Sequence, residues 1–207
     1  MKIINLTERL VRRAHKRGEP PPFPSVPYEH RVGIGLHHSR GPGDPHALAK
    51  WKVEREGMPG HSYSFHRHGP KTYQCASLEE VTQHAMAHSP WRWGIVFTGD
   101  YDRAEPHPND LNEVAELCAL MMRWQRWSSP SELVGPARLI APRIAGHREL
   151  RWGSKDRDAD GHVLKSCPGD KFDMDAFRLL VSVKLAGTRG YTSHDAELAL
   201  RTAGVVI

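Results

Sequence analysis

The 207-residue sequence predicts one globular domain in which a β-sheet is covered by helices, α/β or α+β in class. Three observations predict it. Short apolar runs of strand character are interspersed with stretches of helical periodicity. Hydrophobic residues make up 39% and charged residues 26%, which supports a packed core and excludes disorder, collagen-like repeats and coiled coil. The length suits a single domain with short appendages.

Residues 6–17 predict a short amphipathic helix, with Thr7 as N-cap, Leu10, Val11 and Ala14 as its apolar stripe and Gly18 as its end. GEPPPFPSVP at 18–27 predicts an extended, proline-stiffened linker. VGIGL at 32–36 predicts an apolar strand that runs directly into His37, His38 and Ser39. A Gly/Pro loop follows, then a helix over 45–55. SYSF at 62–65 and KTYQ at 71–74 predict partner strands across a turn at His68, Gly69 and Pro70. Ser77 with Glu80 three residues on is a capping-box pattern that predicts a helix. WGIVFT at 93–98 is apolar on both faces and predicts a buried strand closed by Gly99 and Asp100.

Residues 109–127 predict the clearest helix, capped by Asn109 or Asp110. Its Leu111, Val114, Leu117, Cys118, Met121 and Trp124 recur at helical spacing and read as core. A turn is expected over 131–134 and a short buried segment over 139–141. Residues 173–185 predict a helix with Met174, Phe177, Leu180 and Val181 inward, and 193–202 a last helix capped by Ser193. The organisation expected is an arm at 1–30, a main domain at 31–186 and a helical extension at 187–207, without internal repeats.

No apolar run approaches the ~18 residues of a membrane span. The charged start, MKIINLTERLVRRAHKRG, lacks the long apolar stretch of a secretory signal. Three cysteines are too few and too odd for a disulfide framework and point to a reducing compartment. The net charge of +5 favours anionic partners, nucleic acid or bacterial envelope. Fourteen histidines prompt a search for a metal site. His37 just past a strand, His147 in IAGHREL and Cys167 in KSCPGD make a His/His/Cys set. Such nitrogen and sulfur donors suit zinc and leave a fourth position open, whereas calcium or magnesium would require oxygen. A nucleic-acid binder built on structural zinc would need four closed ligands, usually at short CxxC or HxxxH spacing, and no such set of four occurs.

The order of apolar strand and HHS, SYSF, HAMAHSPWRWGIVFTGDY, IAGHREL and KSCPGDKFD resembles the zinc-dependent N-acetylmuramoyl-L-alanine amidases, which include the phage T7 lysozyme type and the peptidoglycan recognition proteins. The likeness spans residues 32–177. It implies a central mixed β-sheet flanked by helices. It implies His37, His147 and Cys167 as ligands of one zinc ion, with His38 a neighbour because successive strand residues point to opposite faces. It implies Tyr63 beside the metal as an oxyanion- or water-positioning group, with His61 there under an alternative alignment. Lys165, two residues before Cys167, is implied as electrostatic stabiliser. His84 falls at the histidine of the family's HA pair.

The activity implied is hydrolysis, by zinc-activated water, of the amide between the lactyl group of N-acetylmuramic acid and L-alanine of the stem peptide. The expected partner is bacterial peptidoglycan, acted on by a monomer without nucleic acid or membrane insertion. With no signal segment, an endolysin made in the host cytoplasm and released through a separate pore is expected. The alternatives are a cytosolic muropeptide-recycling amidase and a non-catalytic peptidoglycan-binding module. Asp156, Asp158 and Asp160 with Gly161 open like an EF-hand calcium loop, but its twelfth position is Cys167 in place of glutamate. A solvated acidic turn is preferred there over bound calcium. His61, His66, His68 and His88 offer no competing ligand spacing, and Trp91 and Trp93 are expected to pack.

Overall fold

The computed structural model describes residues 1–12, 23–41, 43–136, 140–150 and 166–207. Its strands in chain order are β1 (Ile3–Asn5), β2 (Gly33–His38), β3 (Phe65–His68), β4 (Lys71–Gln74), β5 (Arg92–Phe97), β6 (Leu133–Val134), β7 (Ala141–Pro142) and β8 (Ile144–Gly146). The helices are α1 (Pro45–Glu56), α2 (Pro108–Trp124), α3 (Met174–Gly187) and α4 (Ser193–Ala203). Six strands form one mixed sheet in the order β1-β4-β3-β5-β2-β8, with β3 and β4 antiparallel and every other neighbour parallel. β6 and β7 form a separate antiparallel pair.

β2 and β5 run through the middle of the sheet, and all their residues are buried. Both faces are covered, so residues 33–36 of β2 and 93–97 of β5 are continuous apolar runs with no polar alternation. Register pairs Ile34 with Trp93, Leu36 with Ile95 and His38 with Phe97. The apolar members of these pairs join Val114, Leu117, Met121, Phe177 and Val181 of α2 and α3 in the main core. The alternate residues, among them Gly35, His37 and Gly94, therefore face the other side of the sheet. Alternation has thus separated His37 from His38, as the sequence predicts.

Several elements differ from expectation, each for a tertiary reason. The described part of the helix expected over 6–17 is a turn, in which the Leu6 carbonyl accepts from Arg9 and Leu10 N–H at 2.9 and 3.2 Å. Strand pairing with β4 extends through Leu6, whose N–H donates to the Gln74 carbonyl at 2.9 Å. The strand expected at 62–65 begins only at Phe65, because Tyr63 N–H turns back to the His61 ring at 3.3 Å. The helix expected from Ser77 does not form. Its capping contact is made, Ser77 N–H to the Glu80 carboxylate at 2.9 Å. The carbonyls of Leu78, Glu79 and Glu80 are instead taken by the Arg31 guanidinium at 3.3, 3.1 and 2.8 Å. A helix would need those carbonyls for its own ladder.

α2 is capped by His107, whose Nδ1 accepts from Asn109 N–H at 3.2 Å, and not by Asn109 or Asp110. Asp110 is held by Arg67 at 2.8 Å. α4 is capped by Thr192 in a reciprocal box with Asp195, one residue before the Ser193 expected. Of residues 139–141, Leu139 lies outside the described residues, Ile140 is exposed and Ala141 is buried. No described helix is long and apolar enough to cross a membrane.

Candidate metal centre

The parallel strands β2, β5 and β8 end on one edge of the sheet, and the candidate site is built there. His37 is the penultimate residue of β2. His147 follows β8 directly and opens a single 3-10 turn, His147–Glu149. Cys167 lies on the loop that leads to α3. One ligand atom from each of His37, His147 and Cys167 lies within 4.8 Å of the others, so the three could hold a metal ion. Cys167 Sγ is 3.6 Å from His37 Nδ1, and the His37 and His147 rings are 4.6 Å apart between centroids.

The GHREL and CPGDKF segments lock together to make this geometry. A side chain at Gly146 would stand 2.7 Å from Pro168 Cδ, so glycine is what lets the two segments touch. Glu149 accepts from Gly146 N–H at 2.7 Å, closing the turn that presents His147. Arg178 of α3 grips Glu149 and also donates to Asp175 at 2.8 Å and to the Ile144 carbonyl at 2.9 Å. Arg148 points the other way. Its N–H donates to the Cys167 carbonyl at 2.8 Å, and its guanidinium to the carbonyls of Gly169 and Phe172 at 3.0 and 3.1 Å. Gly169, at φ 116°, lies against the Tyr101 backbone, where no Cβ could fit. Phe172 anchors the loop in the core beside Phe97 and Phe177.

Of the three, His37 is buried and His147 and Cys167 are half-buried. His37 Nε2 lies 2.9 Å from His84 Nδ1, and His84 Nε2 lies 3.0 Å from the Arg92 carbonyl. Burial, then the neighbouring His147 and His84, holds His37 well below the usual histidine range. Burial likewise lowers His84 to about 3. The Tyr63 ring packs 4.9 Å from that of His37. Burial, and next the nearby Cys167, pushes the phenol pKa up, so Tyr63 stays a protonated donor at neutral pH. His61 points away from the site, its Nε2 3.2 Å from His66 Nδ1.

His61 heads a directional chain. The Thr98 hydroxyl donates to the Gly43 carbonyl at 3.0 Å, so it accepts from His66 Nε2 at 2.7 Å. His66 Nδ1 then accepts from His61 Nε2, and His61 Nδ1 accepts from Tyr63 N–H. Burial lowers His61 to about 4, opposed by the Tyr63 carbonyl 3.2 Å from Nδ1, to which the charged ring would donate, and reinforced by Lys52. Burial, then His61 and His68, lowers His66 to about 2.

His38 lies on the opposite face, with Asp100 and Asp102, ligand atoms of all three within 4.8 Å. Here the charges are already matched. Arg40 pairs with Asp102 at 3.2 Å, and His38 Nδ1 accepts from Tyr101 N–H at 3.1 Å. Asp102 is held below the usual carboxylate range by hydrogen bonds from Ser166 and Asp170 N–H, so this cluster fastens the Cys167 loop. Trp93 packs, stacked 6.0 Å from Trp124 and donating to the Leu78 carbonyl at 2.9 Å. Lys165 and the aspartates Asp156, Asp158 and Asp160 lie outside the described residues. Sequence reasoning named the three residues that converge here but missed the supports: Arg148, Glu149, Arg178 and the contact of His84 with His37. The signal available was the adjacency of Arg148 and Glu149 to His147.

No protein-family model and no curated protein sequence matches the chain. Solved structures do match it. The N-acetylmuramoyl-L-alanine amidase LysC from Clostridium intestinale URNW superposes with a TM-score of 0.60 at 15% identity, over 88% of this chain and 98% of its own. The Ph2119 endolysin from Thermus scotoductus MAT2119 bacteriophage Ph2119 gives 0.57 at 17% identity, over 89% and 99%. Peptidoglycan recognition protein-LE, solved in complex with tracheal cytotoxin, a monomeric diaminopimelic acid-type peptidoglycan, gives 0.58 at 15% identity, over 84% and 91%. At these identities the likeness is one of fold.

Proposed function

We propose that this chain, which has the fold of N-acetylmuramoyl-L-alanine amidases and peptidoglycan recognition proteins, is a zinc-dependent peptidoglycan hydrolase. Its target is the amide between the lactyl group of N-acetylmuramic acid and L-alanine of the stem peptide. The observation that carries this reading is the convergence of His37, His147 and Cys167 within 4.8 Å, with the Tyr63 phenol alongside. The donor set fits zinc: two imidazole nitrogens and one thiolate are borderline-soft, and three protein ligands are the number found in catalytic sites. When bound, zinc supplies a Lewis acid that polarises a carbonyl and acidifies water.

The chain's own residues orient and stabilise. Tyr63, held protonated by burial, offers an O–H to the carbonyl oxygen as negative charge develops on it. The His61–His66–Thr98 chain holds the Tyr63 backbone from behind. Lys165, two positions before Cys167, is assigned electrostatic stabilisation of the same charge on the sequence resemblance. The net charge of +5 favours approach to an anionic wall. We assign the protein to the endolysins, acting as a monomer on peptidoglycan. The presence of all three ligand residues supports cleavage over recognition alone.

The test combines metal content with mass spectrometry of digested sacculi, for wild type and Cys167→Ala. About one zinc per chain and release of stem peptide with a free L-alanine amino terminus are expected, both lost in the variant. A fully active, metal-free Cys167→Ala protein overturns the site. Muropeptide binding by a zinc-loaded wild type that frees no amino terminus makes the protein a recognition module instead.

A further inference from the structure

The His84 ring sits in a slot that two glycines open in the sheet. Gly35 of β2 and Gly94 of β5 are register partners on the face that carries His37. A Cβ at Gly94 would stand 2.6 Å from His84 Cγ, and one at Gly35 would stand 3.1 Å from His84 Cε1. A side chain at Gly94 would displace the ring, and one at Gly35 would crowd it. Fixed in this slot, the ring makes hydrogen bonds of a single direction. The Arg92 carbonyl can only accept, so His84 Nε2, 3.0 Å away, carries the proton. His84 Nδ1 is then a bare acceptor, and His37 Nε2 at 2.9 Å donates to it. A neutral His37 with its proton on Nε2 keeps its lone pair on Nδ1, the nitrogen 3.6 Å from Cys167 Sγ.

We propose that His84 is a positioning residue: seated in the slot of Gly35 and Gly94, it fixes His37 in the Nε2–H tautomer and so aims the Nδ1 lone pair at the metal. A backbone carbonyl acting through a second imidazole does here what a directly bonded carboxylate or carbonyl does for other metal-binding histidines, and it adds no net charge. The inference rests on the zinc reading above for the ion, and on the hydrogen-bond directions alone for the tautomer.

Long-range 1H–15N correlation of the imidazoles in the full chain at pH 7.5, with and without zinc, reads the tautomers directly. Nε2–H is expected for both His84 and His37, and Nδ1–H at either overturns the proposal. Zinc affinity by chelator competition is the second readout. His84→Leu has neither donor nor acceptor and is expected to bind zinc about 10–100-fold more weakly. His84→Asn keeps an acceptor where Nδ1 stood and is expected to recover most of that loss. Gly94→Ala touches no ligand but displaces the ring, and it should weaken zinc binding as His84→Leu does. A folded His84→Leu protein with wild-type affinity overturns the proposal; if that variant does not fold, Gly94→Ala decides in the same way. A wild type that binds no zinc overturns the reading beneath, whatever its tautomers.

Discussion

Tyr63 and Arg31 are held by opposite kinds of environment. Tyr63 lies at the edge of the candidate site, and its hydroxyl is the one feature that separates it from phenylalanine. Tyr63→Phe is expected to keep zinc and fold while amide cleavage falls about 10²–10³-fold, measured as release of L-alanine amino termini from sacculi. Arg31 is buried among backbone carbonyls, with no carboxylate partner among the described residues: Ser89, Pro90 and Arg92 on one nitrogen, Leu78, Glu79 and Glu80 on the other. Burial lowers its pKa to about 10, so it stays charged at neutral pH. Arg31→Met removes the guanidinium's hydrogen bonds to all six buried carbonyls and should cost at least about 3 kcal/mol in urea denaturation. The three converging residues of the candidate site, His37, His147 and Cys167, were legible because each lies in a short, recognisable segment. Arg31 was not legible, since an arginine before a strand reads as solvated and only the folded chain brings six carbonyls round it.

Each half of the candidate metal centre is an element carried by another element. The turn that bears His147 is closed by Glu149 and clamped from α3 by Arg178, while Arg148 holds the Cys167 loop. Arg148→Ala should therefore weaken zinc binding about 10–100-fold in a chelator titration, although no ligand is altered. A control lies at the far end of the chain. Thr192 caps α4 through Asp195 N–H at 3.1 Å, so Thr192→Ala should lower stability by about 1 kcal/mol and leave zinc affinity unchanged. α2 and α3 with their apolar stripes, α1 with its Asp44 cap and closing Gly57, and β5 with its apolar run follow from sequence to within a few residues. Those that failed did so where long-range partners outweighed propensity. Ser77 has its capping glutamate, but its following carbonyls belong to Arg31. β1 is three residues long and is a strand because β4 lies beside it.

Across the whole molecule, buried neutral imidazoles make stability depend on pH. His61 and His66 have folded pKa values of about 4 and about 2, below the ~6.5 of an unfolded chain. Below pH ~6.5 the unfolded state takes up protons that the fold refuses. The stability these rings confer is complete above that pH and is lost as pH falls through 5 and 4, at roughly 1.4 kcal/mol per pH unit for each ring. Urea midpoints at pH 7.5, 6 and 5 should fall in step, and His66→Gln should flatten the slope. A last consequence concerns the two ends of the sequence. The Ile3 carbonyl lies where a Gly204 side chain would be, and the Gln74 amide of β4 bonds Val206 through both its oxygen and its nitrogen, at 2.7 and 2.9 Å. Residues Ile3, Gly204 and Val206 thus meet at one border of the sheet. A circularly permuted gene that joins the two ends by a short linker and opens the hairpin between Gly69 and Pro70 should yield a protein whose metal centre is unaltered.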